Sequence, residues 1–178
     1  AIDRAALTQR IMEGVAVPAE QFLPVGFFGT LPDLKVQAYD PEGAKALRAA
    51  AGYGEGFKLT FHGPNDRYPN DTKIAQAVAQ MLSRVGLEVA VETMPRSVYF
   101  PASRGFEYSF GLWGYSTDTG EVGSWINNVL GCYNKAAGRG SANVGRYCNL
   151  RVDGLLDQAL STIDPAAREA LLQDATRI

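Results

Sequence analysis

The sequence predicts an α/β fold. The strongest sign is residues 56–94, which read as strand, polar loop, helix and strand. A second is the pair of Asp-Pro helix starts, Asp40-Pro41 and Asp164-Pro165. A third is another alternating apolar segment, 107–115, set between helical stretches. A strand–helix–strand unit this short is a right-handed parallel crossover, and such sheets bind ligands beyond the carboxyl ends of their strands.

Taken in order, residues 3–12 form a first helix, with Asp3 as N-cap and Leu7 and Ile11 inward. Glycines and prolines forbid regular structure through 14–32. Phe22, Leu23, Phe27 and Phe28 make that stretch too apolar for a solvated linker, so it lies across a surface. Asp40 and Pro41 open the next helix and Gly52 follows its end. In 57–63, Phe57, Leu59 and Phe61 share one face and Lys58, Thr60 and His62 the other, the period of a strand. Ile74, Val78, Met81, Leu82 and Val85 then recur at helical steps up to Gly86, and 87–94 alternates again.

Residues 95–105 read as a short helix broken before Pro101, and 107–115 as a third strand. The turn after it enters a helix that either Ser116 or Asp118 could cap. Two more helices follow, the first with Val152, Leu155, Leu156 and Leu160 inward, the second capped by Asp164. The chain opens at helix-start chemistry and closes inside a helix, so it is expected to be an excised piece of a longer protein, one α/β lobe spanning 1–178. Three strands are few for a three-layer lobe, which would borrow another strand from elsewhere.

A chain of 178 residues is long enough to bury a core without a metal or disulfide staple. The net charge of −2 argues against a broad nucleic-acid surface. No apolar run approaches the ~18–20 residues of a membrane span. Cys132 and Cys148 bracket a polar, glycine-rich loop, and with a single histidine the spacing of a metal site is absent. A disulfide closing this poorly packed loop is expected, contributing roughly 3 kcal/mol and placing the protein in an oxidising compartment.

Enzyme constellations are thin. His62 sits on a strand with no nucleophile elbow beside it, and paired acids such as Asp118 and Glu121 near a helix start more often serve as caps or dipole partners. No phosphate-binding glycine loop occurs. The loop after the first strand carries Asn65, Asp66, Arg67, Tyr68, Asn70 and Asp71, groups that grip a polar solute. The turn after the third strand offers Trp113 and Tyr115 as flat walls and Ser116, Asp118 and Glu121 as polar ends; Trp125, inside a helix, reads as core. Two such exits from neighbouring strands would share one mouth.

Several stretches, in order, carry a resemblance: "YDPEGAKALRAAAGY", "GFKLTFHGPND", "DTKIAQAVAQMLSRVGLEV", "GLWGYSTDTGE" and "VDGLLDQALSTIDPAAREALLQDA". Together they resemble the dipeptide/oligopeptide-binding type of bacterial extracellular solute-binding proteins, family 5, which serve ABC importers. The resemblance implies a type II periplasmic-binding-protein lobe, a central mixed sheet flanked by helices, and a two-lobed receptor of which this is most of the C-terminal lobe. It implies a periplasmic or lipid-anchored location, a peptide or other small polar solute, a membrane permease as partner, no cofactor and no chemistry on the solute. It points to Asp118 or Glu121 as the acid that holds a ligand amino group, and to Lys73 or Arg67 as the base that holds a carboxylate. The peptide-type turn pattern "GDP" is replaced here by "GEV". The resemblance also supports the Cys132–Cys148 bridge. Two other readings compete: a protein-interaction or peptide-chaperone module using an exposed patch at Phe27 and Phe28, and a hydrolase built on His62.

Overall fold

The computed structural model describes residues 1–178. The chain divides into two compact units, Ala1–Pro18 with Val36–Gly114, and Ala19–Lys35 with Tyr115–Ile178.

The first unit opens with helix α1, Arg4–Ala6, continued by a π-helical turn, Leu7–Ile11. The Asp3 carboxylate accepts from the Ala6 amide at 2.9 Å, as expected of an N-cap. Helix α2, Pro41–Ala50, starts on Asp40, whose carboxylate accepts from the Gly43 amide at 2.7 Å. Strand β1, Lys58–Pro64, helix α3, Asp71–Ser83, and strand β2, Glu88–Met94, form the expected parallel crossover. Phe61, Ala75 and Val78 are its buried centre, with Ile74, Leu82, Val89 and Val91 packed around them.

The third strand expected over 107–115 is a correction. This segment pairs with β1 at one parallel bridge, His62 with Gly111. The His62 amide donates to the Phe110 carbonyl at 3.0 Å and the Leu112 amide to the His62 carbonyl at 2.9 Å. Phe110 and Leu112 still pack on the β1–α3 core, so the apolar alternation is used while the ladder is not continued. Helix α4, Arg96–Arg104, also departs from expectation, because it runs through Pro101. Pro101 removes one donor to the carbonyl of Ser97, and both residues are exposed, the side of a helix on which a lost backbone bond costs least.

The second unit is helical. Helix α5, Val122–Trp125, runs into a π-helical turn, Ile126–Leu130, and helices α6, Leu150–Ser161, and α7, Pro165–Arg177, pack together. Leu23, Val122, Ile126, Val152, Leu156, Ala159, Leu172 and Ala175 form its core, and Phe28 and Trp125 lean on it. The long loop of 19–35 is seated on this core through Leu23 and Phe28, while Phe22 and Phe27, expected to lie inward with them, are exposed. Leu160, expected inward, is 62% exposed. The buried stripe is Val152, Leu156 and Ala159, a four- and three-residue step that leaves position 160 outside.

Cys132 and Cys148 are joined by a disulfide. The enclosed loop is better held than its composition suggested. Asn143 is buried; its side-chain amide donates to the carbonyls of Gly131 and Tyr147, and its carbonyl accepts from the Tyr147 amide. Arg139 pairs with Asp157 and lies 3.3 Å from Asp153, which also accepts from the Cys132 amide.

Candidate functional site

In the first unit, the polar loop between β1 and α3 is organised by Asp71. This carboxylate is buried, and it accepts from the amides of Arg67 at 3.0 Å, Tyr68 at 3.1 Å and Thr72 at 2.8 Å. Three backbone donors on one carboxylate curl the loop and begin the helix in one step. Asn70 takes a left-handed conformation at φ 56°, and its side-chain amide donates to the Ile11 carbonyl at 2.8 Å. Asp66 accepts from the Arg96 amide at 2.6 Å, tying the loop to the start of α4. Residue type alone makes Asp71 one polar group of the loop among several; the signal of its organising role is its place four and three residues beyond Arg67 and Tyr68, at the helix start.

Arg67 and Asn65 are exposed, and the Arg67 guanidinium stands 5.1 Å from the Tyr68 ring centre. Tyr68 is half-buried. Its hydroxyl accepts from the Gly114 amide at 2.9 Å and faces the Gly114 carbonyl at 3.2 Å. The loop after β1 is thus joined to the end of the segment that pairs with the other edge of β1. Lys73 is exposed in the first turn of α3.

Trp113 lies against α4. Its indole N–H donates to the Ser103 hydroxyl at 2.7 Å, and Phe100 meets it edge-on at 5.2 Å. Beneath them Tyr99 is fully buried, and its hydroxyl reaches no hydrogen-bond partner. Burial, with the nearby Tyr68 second, pushes the Tyr99 phenol up to about 12. Tyr108 is also raised, by burial and then by Glu107 and Glu92.

His62 is stacked on Tyr108 at 4.0 Å, with Nε2 3.5 Å from Glu92. Its ring is part of a wall of stacked rings, the arrangement of a structural histidine.

In the second unit, Tyr115 and Asp118 are exposed, as is Ser116. Tyr115 meets Trp125 edge-on at 6.1 Å, and Trp125 stacks on Phe22 at 3.7 Å. Neither Ser116 nor Asp118 caps α5, which corrects the expected cap; Glu121 occupies the N-cap position without a side-chain cap bond. The hydroxyls of Thr117, Thr119 and Ser124 bond one another there instead, and the Thr117 hydroxyl donates to the Glu121 carbonyl. Both carboxylate oxygens of Glu121 accept from Arg168, at 2.6 and 2.8 Å. Phe28, 5.2 Å from that guanidinium, packs on the core, while Phe27 is exposed.

The candidate residues therefore belong to both units. Asn65, Asp66, Arg67, Tyr68, Lys73 and Trp113 lie in the first, and Tyr115, Ser116, Asp118 and Glu121 in the second.

Heme-binding protein A of Haemophilus influenzae is 28% identical over 98% of this chain and 32% of its own length. Glutathione-binding protein GsiB of Escherichia coli is 30% identical over 100% of this chain and 35% of its own. Among solved structures, the ABC transporter-associated periplasmic binding protein DppA of Helicobacter pylori, in complex with the peptide STSA, superposes with a TM-score of 0.89. It is 25% identical, over 99% of this chain and 34% of that one. The chain spans about a third of the length of these relatives. Its fold is part of a type II periplasmic-binding-protein lobe. The family model described as bacterial extracellular solute-binding proteins, family 5 Middle, matches residues 1–137, well over half of the sequence. That match shows the family: this chain belongs to the bacterial extracellular solute-binding proteins of family 5.

Proposed function

We propose that this chain is the ligand-bearing part of a solute receptor for an ABC importer, taking a peptide or similar small polar solute between two lobes and presenting it to a membrane permease. The single observation that carries this reading is the bond pair from the Tyr68 hydroxyl to Gly114. It joins two loop exits from the carboxyl end of one parallel sheet, the place where such sheets hold ligands. Arg67 and Lys73 are the cations for a solute carboxylate, and Asp118 is the exposed acid for an amino group. Asn65, Asp66 and Ser116 add hydrogen bonds, and Tyr68, Trp113 and Tyr115 add apolar walls. Glu121 is a weaker candidate, because its carboxylate already carries Arg168.

The relatives are named as binding proteins, which supports binding without chemistry on the solute. Lobe closure on the solute would produce the form that a permease reads. The other lobe belongs to the length that the relatives have beyond the matched third. The setting is periplasmic or extracellular, with or without a lipid anchor, and the disulfide fits it.

The test is mass spectrometry of small molecules released from a polypeptide of the relatives' length that contains this chain, followed by titration with di- and tripeptides. A retained peptide or small polar solute, lost on Asp118→Asn or Arg67→Gln, is expected. No retained molecule and no heat on titration would overturn the reading.

A further inference from the structure

Arg104 ends helix α4 on the same side as Trp113, and its place is built rather than incidental. The Trp113 indole is fixed by the 2.7 Å bond from its N–H to Ser103, whose side chain is buried. Phe100 stands edge-on to the indole at 5.2 Å. The Arg104 guanidinium lies 5.9 Å from the centres of both rings. An exposed arginine in the last turn of a helix is ordinarily a partner of the helix dipole, with its side chain free in water. Here the guanidinium lies within cation–π reach of both rings while the residue stays exposed to solvent.

Its charge is not used within the chain. Arg139, Arg168 and Arg177 each take a carboxylate, and the ion pairs of the chain do not include Arg104. Arg67, over Tyr68, has the same arrangement: a guanidinium seated on an aromatic ring, with its hydrogen-bonding edge left for something else.

We infer that Arg104 is an anion-receiving group, taking a carboxylate or phosphate oxygen of the solute beside Trp113. The inference deepens the receptor reading and rests on it for the word solute. The planar fork offers two parallel N–H donors to a carboxylate, a geometry that lysine lacks. Ser103 acts behind it as a positioning residue, since it sets the plane of the ring on which the guanidinium rests. The indole N–H is taken up by Ser103, so at this point the solute meets the Arg104 charge and the carbon face of the ring. The solutes favoured are those with an acidic group next to apolar carbon, over neutral polyols.

The experiment uses the Trp125→Phe protein, in which Trp113 is the sole tryptophan and a ring is kept in the Phe22 stack. Collisional quenching of its fluorescence is read with iodide, with caesium and with neutral acrylamide. Arg104 should concentrate iodide and repel caesium. Arg104→Gln is expected to lower the iodide constant about twofold and raise the caesium constant, leaving acrylamide unchanged, and added inert salt should shrink the difference. Arg104→Lys should restore part of the iodide effect. Ser103→Ala should raise acrylamide quenching and lower emission anisotropy. An iodide constant indifferent to Arg104→Gln, or a wild-type indole closed to both iodide and acrylamide, overturns the inference. A second arm compares trialanine with its C-terminal amide in a polypeptide of the relatives' length. Tighter binding of the free acid, with that preference reduced in Arg104→Gln, supports Arg104 as a cation acting on the solute's anion beside Arg67 and Lys73; equal loss of both peptides overturns that. If the quenching result holds and neither peptide binds, the peptide-receptor reading fails while the anion seat stands.

Discussion

The Tyr68 hydroxyl holds both backbone groups of Gly114, accepting from its amide at 2.9 Å and donating to its carbonyl at 3.2 Å. An extended segment has no such bonding from its own neighbours once it leaves the sheet. The phenol thus replaces a missing strand partner at the point where the chain passes from one compact unit to the other. Glycine is needed there, because a Cβ at position 114 would stand 2.9 Å from the Tyr68 ring.

Two substitutions should therefore act alike. Tyr68→Phe removes both bonds, and Gly114→Ala pushes the ring away from them. Each should speed amide exchange through 65–70 and lower stability by about 1–2 kcal/mol in urea unfolding. Unchanged exchange in either variant would show that the loop keeps its shape without the clip.

Asp71 tests the same loop from within. Its buried carboxylate serves three amides, so Asp71→Ala leaves three donors without an acceptor where water enters poorly. A loss of about 2–4 kcal/mol is expected, larger than for either change at the exposed end of the loop. Asp71→Asn should recover only part, because its amide nitrogen cannot accept. Equal stability of the asparagine variant and wild type in chemical denaturation would contradict this account.

Much of this was legible in the sequence. The crossover unit, the Asp40 and Asp164 caps and the disulfide were all visible because each rests on local chemistry: period, cap residue or spacing. The third strand was not, since alternation in 107–115 reports which face is buried and says nothing of how many ladder bonds form. Leu160 and Pro101 were misjudged for a related reason, because a single residue's tendency was weighed without knowing which side of its helix met the core. At the site, the polar loop was recognised but the division of labour inside it was not. Asp71 gives both oxygens to backbone amides, while Asp66 gives one to the Arg96 amide and keeps the other for a solute, a difference that residue type and spacing do not show. Ser103 and Arg104 carried no sequence signal, as each is placed against the Trp113 ring, ten and nine residues away.

Tyr99 sets an alkaline limit. Its phenol is raised to about 12 by burial, against about 10 for an exposed phenol. In the unfolded chain it ionises first, so above pH 10 the unfolded state holds fewer protons and stability falls with rising pH. The contribution is fully present below pH 10 and is lost as pH climbs through about 12, amounting to roughly 2–3 kcal/mol. Tyr99→Phe removes the buried hydroxyl, which has no partner to lose. Its urea midpoint should match or exceed wild type at pH 8 and fall less steeply between pH 10 and 12. Parallel alkaline slopes in the two proteins would mean that Tyr99 opens to solvent before it titrates.

The two acids of the 115–121 turn should separate cleanly. Glu121 is half-buried and gives both oxygens to Arg168, whose guanidinium also covers Phe28. Glu121→Gln leaves a part-buried guanidinium with one neutral acceptor, so stability should drop by about 1–3 kcal/mol while the solute site keeps its charge. Arg168→Met, which removes the other partner and keeps carbon over Phe28, should destabilise by a similar amount. Asp118 is exposed at the same turn, so Asp118→Asn should change stability by less than about 0.5 kcal/mol. Its effect belongs to binding: loss of one charge-assisted hydrogen bond to a solute amino group, about 1.5–3 kcal/mol, or roughly 10- to 150-fold in Kd. The opposite pattern, with Glu121→Gln silent in unfolding and severe in binding, would move the ligand acid from Asp118 to Glu121 and make the Arg168 pair a resting contact that the solute displaces.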